Sequence, residues 1–129
     1  MRWCFGDGKP AELAYAGKVL DALHGTFAQV PAIWGLEVAN VLARAEDRGL
    51  ITEARSEAFL ALLRRMHIEA DTETFVQSLG ATLQLARRYR LSSYDAAYLE
   101  LALREGLALA TLDEDLRKAA KRAGVPMVT

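Results

Sequence analysis

The chain has 129 residues, enough for one domain around one core, taken here as residues 1–129. A hydrophobic fraction of 52% and a charged fraction of 26% exclude a disordered chain. No apolar run reaches the roughly 18 residues of a membrane helix. The net charge of −1 excludes a grip on nucleic acid by global positive charge, so contact with RNA must use a local patch and a metal ion.

Arg2 leads into Trp3, Cys4 and Phe5 without the apolar region of a signal peptide, so the cytoplasm is the expected compartment. Pro10 opens a helical pattern over residues 11–23, with Leu13, Ala14, Val19, Leu20 and Leu23 at helical spacing. Residues 27–33 read as a short buried strand interrupted by Pro31. A helix follows over residues 34–47 and stops at Gly49. Thr52 is an N-cap candidate for a helix over residues 53–66. Residues 67–70 are a strand candidate, and Thr72 is positioned to cap a helix running to about Tyr89. Ser92 starts a helix ending before Gly106, residues 107–112 read as a strand, and Asp113 caps a last helix closed by Gly124. Residues 125–128 form a terminal strand. Strands separated by helices predict an α/β fold, a parallel sheet with helices on both faces.

Three carboxylates, Glu37, Asp95 and Asp113, stand at openings of these helical patterns. In an α/β fold such openings converge at one end of the sheet. Each also has a plainer explanation. Glu37 shares a helix face with Asn40 and Arg44, and that face can simply be the solvated one. Asp95 follows Ser92 at capping-box spacing. Asp113 precedes a helix where Asp is a preferred cap, and Asp115 suits the helix dipole. Taken together, converging carboxylates repel. Two unit charges at 4 Å cost about 1 kcal/mol in bulk water and about 4 kcal/mol at an effective dielectric of about 20. A hard cation such as Mg²⁺ or Mn²⁺ supplies the missing charge and accepts phosphate oxygens as well.

Other chemistries are missing. His24, His67 and Cys4 lack metal-ligand spacing for zinc. There is no Gly-rich phosphate loop and no nucleophile elbow. Small basic clusters occur at Arg64-Arg65, at Arg87-Arg88 with Arg90, and at Arg117-Lys118 with Lys121-Arg122. Most such clusters are solvated faces. One lying near the acids could hold an RNA backbone, and the last is nearest to Asp113 in sequence.

Three stretches, residues 30–42, 91–102 and 109–116, together with Gly124-Val125-Pro126-Met127-Val128, resemble the PIN-domain family. Within it they resemble the VapC-like toxin ribonucleases of toxin–antitoxin pairs. The resemblance implies a parallel sheet with flanking helices, an acidic Mg²⁺ site, RNA cleavage, homodimers and inhibition by a cognate antitoxin. It assigns Glu37, Asp95 and Asp113 as catalytic and metal-binding residues, with Asp115 as an auxiliary ligand. Asn40 and Thr111 match polar positions near the site.

One departure stands out. The family pattern opens with a hydrophobic central strand ending in Asp, and Trp3-Cys4-Phe5 looks like the far end of the helix that follows it. That strand and its Asp would lie upstream of Met1, and Asp7 is a poor substitute. Losing four or five buried side chains at about 1.5–3 kcal/mol each approaches the stability of a whole domain, roughly 5–15 kcal/mol. The expectation is therefore a metal-dependent ribonuclease impaired in this form. The alternative is a catalytically inactive PIN-like module that dimerises and binds an antitoxin.

Overall fold

The structure, a computed structural model, describes residues 27–128. The expected helix over residues 11–23, with Cys4, Asp7 and His24, lies outside the described residues. Strand β1 (Phe27–Val30) leads into helix α1 (Trp34–Asp47) and helix α2 (Glu53–Arg65), then strand β2 (His67–Ala70). Helices α3 (Thr74–Ser78), α4 (Ala81–Tyr89), α5 (Ser93–Glu105) and α6 (Glu114–Ala123) complete the order. The fold is mixed α/β with parallel pairing, as the alternation of patterns predicts.

β1 and β2 pair in parallel, Phe27 opposite His67 and Val30 opposite Ala70. β1 stops at Val30 rather than running on to Ile33, because Pro31 has no N–H for a ladder. A second parallel pairing joins Leu109 to Met127. There Leu109 N–H reaches Pro126 O at 2.9 Å and Val128 N–H reaches Leu109 O at 2.9 Å. The strands expected at residues 107–112 and 125–128 are thus one bridge long. A segment earns a ladder only where a neighbour runs beside it.

Local chemistry sets most helix ends. Thr52 Oγ1 accepts the Arg55 N–H at 3.2 Å, as a cap should. Gly106 and Gly124 close α5 and α6 in the left-handed conformation, where a Cβ is costly. One expectation fails in detail: the single helix predicted up to Tyr89 is two, α3 and α4, divided at Leu79 and Gly80. Glycine is a poor residue for a helix interior, and here it separates the two pieces. Thr72 is not the cap either. Asp71 Oδ1 accepts the Glu73 N–H at 3.2 Å and shapes the entry to α3 instead.

α5 is the buried axis of the domain. Seven consecutive residues from Ala96 to Ala102 are buried, a run no surface helix shows. Tyr98, Leu99 and Ala102 pack with Leu109, Leu116, Ala120 and Val125 in one cluster. Ala28, Val38, Leu42, Leu63 and Ala110 form a second. Trp34 packs against both, so the start of α1 is clamped where the two clusters meet. That clamp places Glu37.

Candidate active site

Glu37 lies in the first turn of α1, half-buried, where the helix dipole favours a carboxylate. The buried Tyr98 hydroxyl donates a hydrogen bond to Glu37 Oε1. Among the described residues no direct ion pair joins Glu37 to Arg44. The hydrogen-bond partner of Glu37 comes from α5, far away in sequence.

Asp95 occupies the first turn of α5, also half-buried. Its N–H is held by Ser92 Oγ at 3.1 Å, the cap anticipated from the sequence. Tyr98 follows Asp95 by one helical turn, so both project from one side of α5. The opening of α1 and the opening of α5 therefore face each other across the Tyr98–Glu37 hydrogen bond.

Asp113 is the N-cap of α6. Its Oδ1 accepts the Leu116 N–H at 2.8 Å. Its own N–H donates to Oγ1 of Thr111 at 3.0 Å, and Thr111 is fully buried. Thr111 thus fixes the backbone on which Asp113 stands. Asp115 is exposed in the first turn of α6, and Asn40 is exposed one turn beyond Glu37.

Among the described residues, no three Asp, Glu, His or Cys side chains lie close enough to form a metal cage. The ion the sequence points to needs fewer protein ligands than that. Mg²⁺ is characteristically held through one or two carboxylates and completes its shell with water and substrate phosphate. Glu37 and Asp113 each use one oxygen in the hydrogen bonds above, and a carboxylate has two. All-oxygen donors at half-buried helix openings fit a hydrated Mg²⁺ or Mn²⁺ better than a soft or dehydrated ion.

The sequence profile of the PIN domain matches residues 13–122. The chain belongs to the PIN-domain family. It is similar to ribonuclease VapC3 of Mycobacterium tuberculosis (strain CDC 1551 / Oshkosh), with 37% identity over 97 residues, 75% of this chain and 68% of that protein. The ribonuclease VapC3 of strain ATCC 25618 / H37Rv matches to the same extent, 37% over 97 residues. Ribonuclease VapC3 of Pyrobaculum aerophilum is 34% identical over 80 residues, 62% of this chain and 61% of that protein. The likeness to VapC-like PIN domains seen in the sequence stands.

This PIN domain also carries a polar network that sequence reasoning missed. Arg104 on α5 binds Asp71 through Nη2–Oδ2 at 2.6 Å and Nη1–Oδ1 at 3.2 Å. It binds Glu100 through Nε–Oε2 at 2.7 Å and Nη2–Oε1 at 3.0 Å. The Asp71 and Glu100 side chains are only 7% and 6% exposed, so these are interior pairs rather than surface ones. Burial pushes the Asp71 carboxyl up, but hydrogen bonds from Arg104, Glu73 and Thr74 outweigh it and hold its pKa below 3.8. Hydrogen bonds to Glu100 and Asp71 raise the Arg104 pKa above its ordinary value.

Thr74 Oγ1 donates to Asp71 Oδ2 at 3.1 Å and accepts the Ala32 N–H at 3.0 Å. Ala32 lies in the segment entering α1. α5 is therefore tied to α1 twice: directly by Tyr98 to Glu37, and indirectly by Arg104 through Asp71 and Thr74 to Ala32. The only local trace of this network in the sequence is the i, i+4 spacing of Glu100 and Arg104. Tyr98 left a faint signal as well, since a tyrosine inside an apolar helix needs a partner for its hydroxyl.

Proposed function

We propose that the chain is an endoribonuclease of toxin–antitoxin type that requires Mg²⁺ or Mn²⁺. Glu37, Asp95 and Asp113 are the carboxylates offered to the ion, one or two of them at a time with water and substrate phosphate completing its shell, and Asp115 is an auxiliary ligand. The observation that carries this reading is the Tyr98–Glu37 hydrogen bond, which brings the opening of α1 to that of α5. Similarity to proteins named ribonuclease VapC3 supports RNA as the substrate.

When bound, the divalent ion supplies an activated water and neutralises charge on the phosphoryl group. The chain's own residues prepare the place. Tyr98 orients Glu37. Ser92 and Thr111 fix the backbones of Asp95 and Asp113. The N-termini of α1, α5 and α6 each contribute partial positive charge that offsets repulsion among the carboxylates. A carboxylate not fully occupied by the ion takes the proton from the attacking water.

Cleavage of RNA should require Mg²⁺ or Mn²⁺ and cease on addition of a chelator. Cleavage indifferent to chelation contradicts the reading. Tyr98→Phe should slow cleavage about tenfold, the lower end of what a ligand-orienting partner contributes. The fold should survive, since a single hydrogen bond is worth only about 1 kcal/mol. Cleavage by Tyr98→Phe at the parent rate would show that the hydroxyl does not position Glu37.

An antitoxin is the proposed protein partner and the cytoplasm the proposed compartment. Among the described residues no helix is long and apolar enough to cross a membrane. Between α1, α2 and the two strands runs an apolar groove of about 690 Å³, bordered by Val38, Leu42, Leu60 and Leu63. Buried Ser56 Oγ lies in its lining with no partner among the described residues, a polar handle within an apolar trough. These features support the docking of an antitoxin segment. The exposed Phe75, Val76 and Leu79 on and after α3 support a homodimer. A second reading, an inactive module that binds the antitoxin without cutting RNA, is favoured by the service of Asp113 as a helix cap. An antitoxin complex with no metal-dependent cleavage would establish that second reading.

A further inference from the structure

Positive charge gathers on one side of α6. Arg117, Lys118 and Lys121 share a helix face with Glu114, following the i, i+3, i+4 and i+7 positions. Together with Val125 and Met127 they line a cleft of about 350 Å³ between α6 and the terminal segment. Arg122, beside them, lays its guanidinium over the Tyr89 ring at 5.3 Å. Arg88, in the last turn of α4, lies over the same ring at 5.5 Å. Tyr89 thus joins two basic clusters that are separate in sequence.

None of these five cations makes an ion pair among the described residues, although the chain is net negative and carries 17 acidic residues. Arg104, in contrast, takes three carboxylates. Two guanidinium groups on one ring and three more cations along one cleft outnumber the single carboxylate lining that cleft, Glu114 at its start. Such an arrangement suits a polyanion. The band also has a direction. α6 opens at Asp113, and from Glu114 to Lys121 the helix rises about 10 Å at about 1.5 Å per residue. The basic face therefore starts at a carboxylate of the candidate site and leads away from it.

We propose that this band, from Arg117 and Lys121 on α6 to Arg88 on α4, is a track for the phosphate backbone of single-stranded RNA. The inference rests on the ribonuclease reading for its ligand class. It makes the track an element of substrate binding separate from the carboxylates. Because phosphates carry no sequence information, the track sets affinity and the path of the strand rather than the choice of base.

The test is binding of a short fluorescent single-stranded RNA to the full chain in chelator, so that metal and cleavage play no part. Salt is varied throughout. Arg117→Gln with Lys121→Gln should weaken binding roughly tenfold. The slope of log affinity against log salt should fall by about 1.4, from about 0.7 for each of two lost phosphate contacts on a single strand. Removing two positive charges elsewhere, Arg55→Gln with Arg65→Gln on α2, should leave binding unchanged. Both pairs are exposed, so folding should be preserved, with circular dichroism as the check. Four results overturn the track: no binding by the parent chain, equal binding and slope in the α6 variant, equal loss in the α2 variant, or α6-dependent binding of polyglutamate in place of RNA. The measurement is also independent of the catalytic reading. If cleavage proves insensitive to chelator while α6 still governs RNA binding, the metal mechanism fails and the track stands.

Discussion

Replacing Arg104 by alanine should destabilise the domain by about 3–5 kcal/mol, the usual cost of removing one partner from a buried ion pair. Two carboxylates, Asp71 and Glu100, would remain at 7% and 6% exposure without their cation. Against a total stability of roughly 5–15 kcal/mol this is a large fraction. Urea unfolding followed by circular dichroism measures it directly. A midpoint equal to that of the parent would mean that the Arg104 network contributes nothing to the fold. The acid limb supplies a second readout. Asp71 has its pKa lowered in the folded state, so its contribution is fully present above the unfolded value near 3.8. It is lost as pH falls through the folded value. The gap between parent and Arg104→Ala should therefore be widest near neutrality and narrow below about pH 4. The variant should also lose cleavage beyond its loss of stability, since the network reaches the Ala32 entry to α1 and so helps place Glu37.

Asp95→Asn should abolish metal-dependent cleavage, with a loss above about a hundredfold, the upper end for partners that merely support a ligand. The substitution keeps shape and removes charge. The fold should survive, because the Ser92 cap bonds the backbone N–H of residue 95 and not its carboxylate. Glu37→Gln should behave alike, since glutamine can still accept the Tyr98 hydrogen bond while losing its charge on the ion. Measured turnover at saturating Mn²⁺ settles the point. Parent-like rates in Asp95→Asn would remove Asp95 from the site.

Local chemistry was readable. Thr52, Ser92 and Asp113 cap the helices they precede, and Gly106 and Gly124 end the helices they follow. Each of these signals acts within one turn of chain. The features that depend on distant partners were less visible. The strands at residues 107–112 and 125–128 shrink to the Leu109–Met127 bridge, because an apolar run does not reveal whether a neighbour lies alongside. The break at Gly80 competed with a strong helical period on both sides, and the period was the louder signal. Arg104 finds Asp71 across 33 positions, and Tyr98 finds Glu37 across 61. No spacing rule reaches that far. The three carboxylates stand out in the sequence by their place at helix openings, and that place also explains Asp113 as a cap. The cap uses one oxygen of Asp113 and leaves the second for another partner.

The central claim is that carboxylates from the set Glu37, Asp95 and Asp113, far apart in sequence, bind one divalent cation. Anomalous diffraction from a crystal soaked in Mn²⁺ tests it most directly. The account predicts one peak within coordination distance of at least two of these carboxylates, at the facing openings of α1 and α5. A peak bound elsewhere, or none at a concentration that supports cleavage, would contradict it.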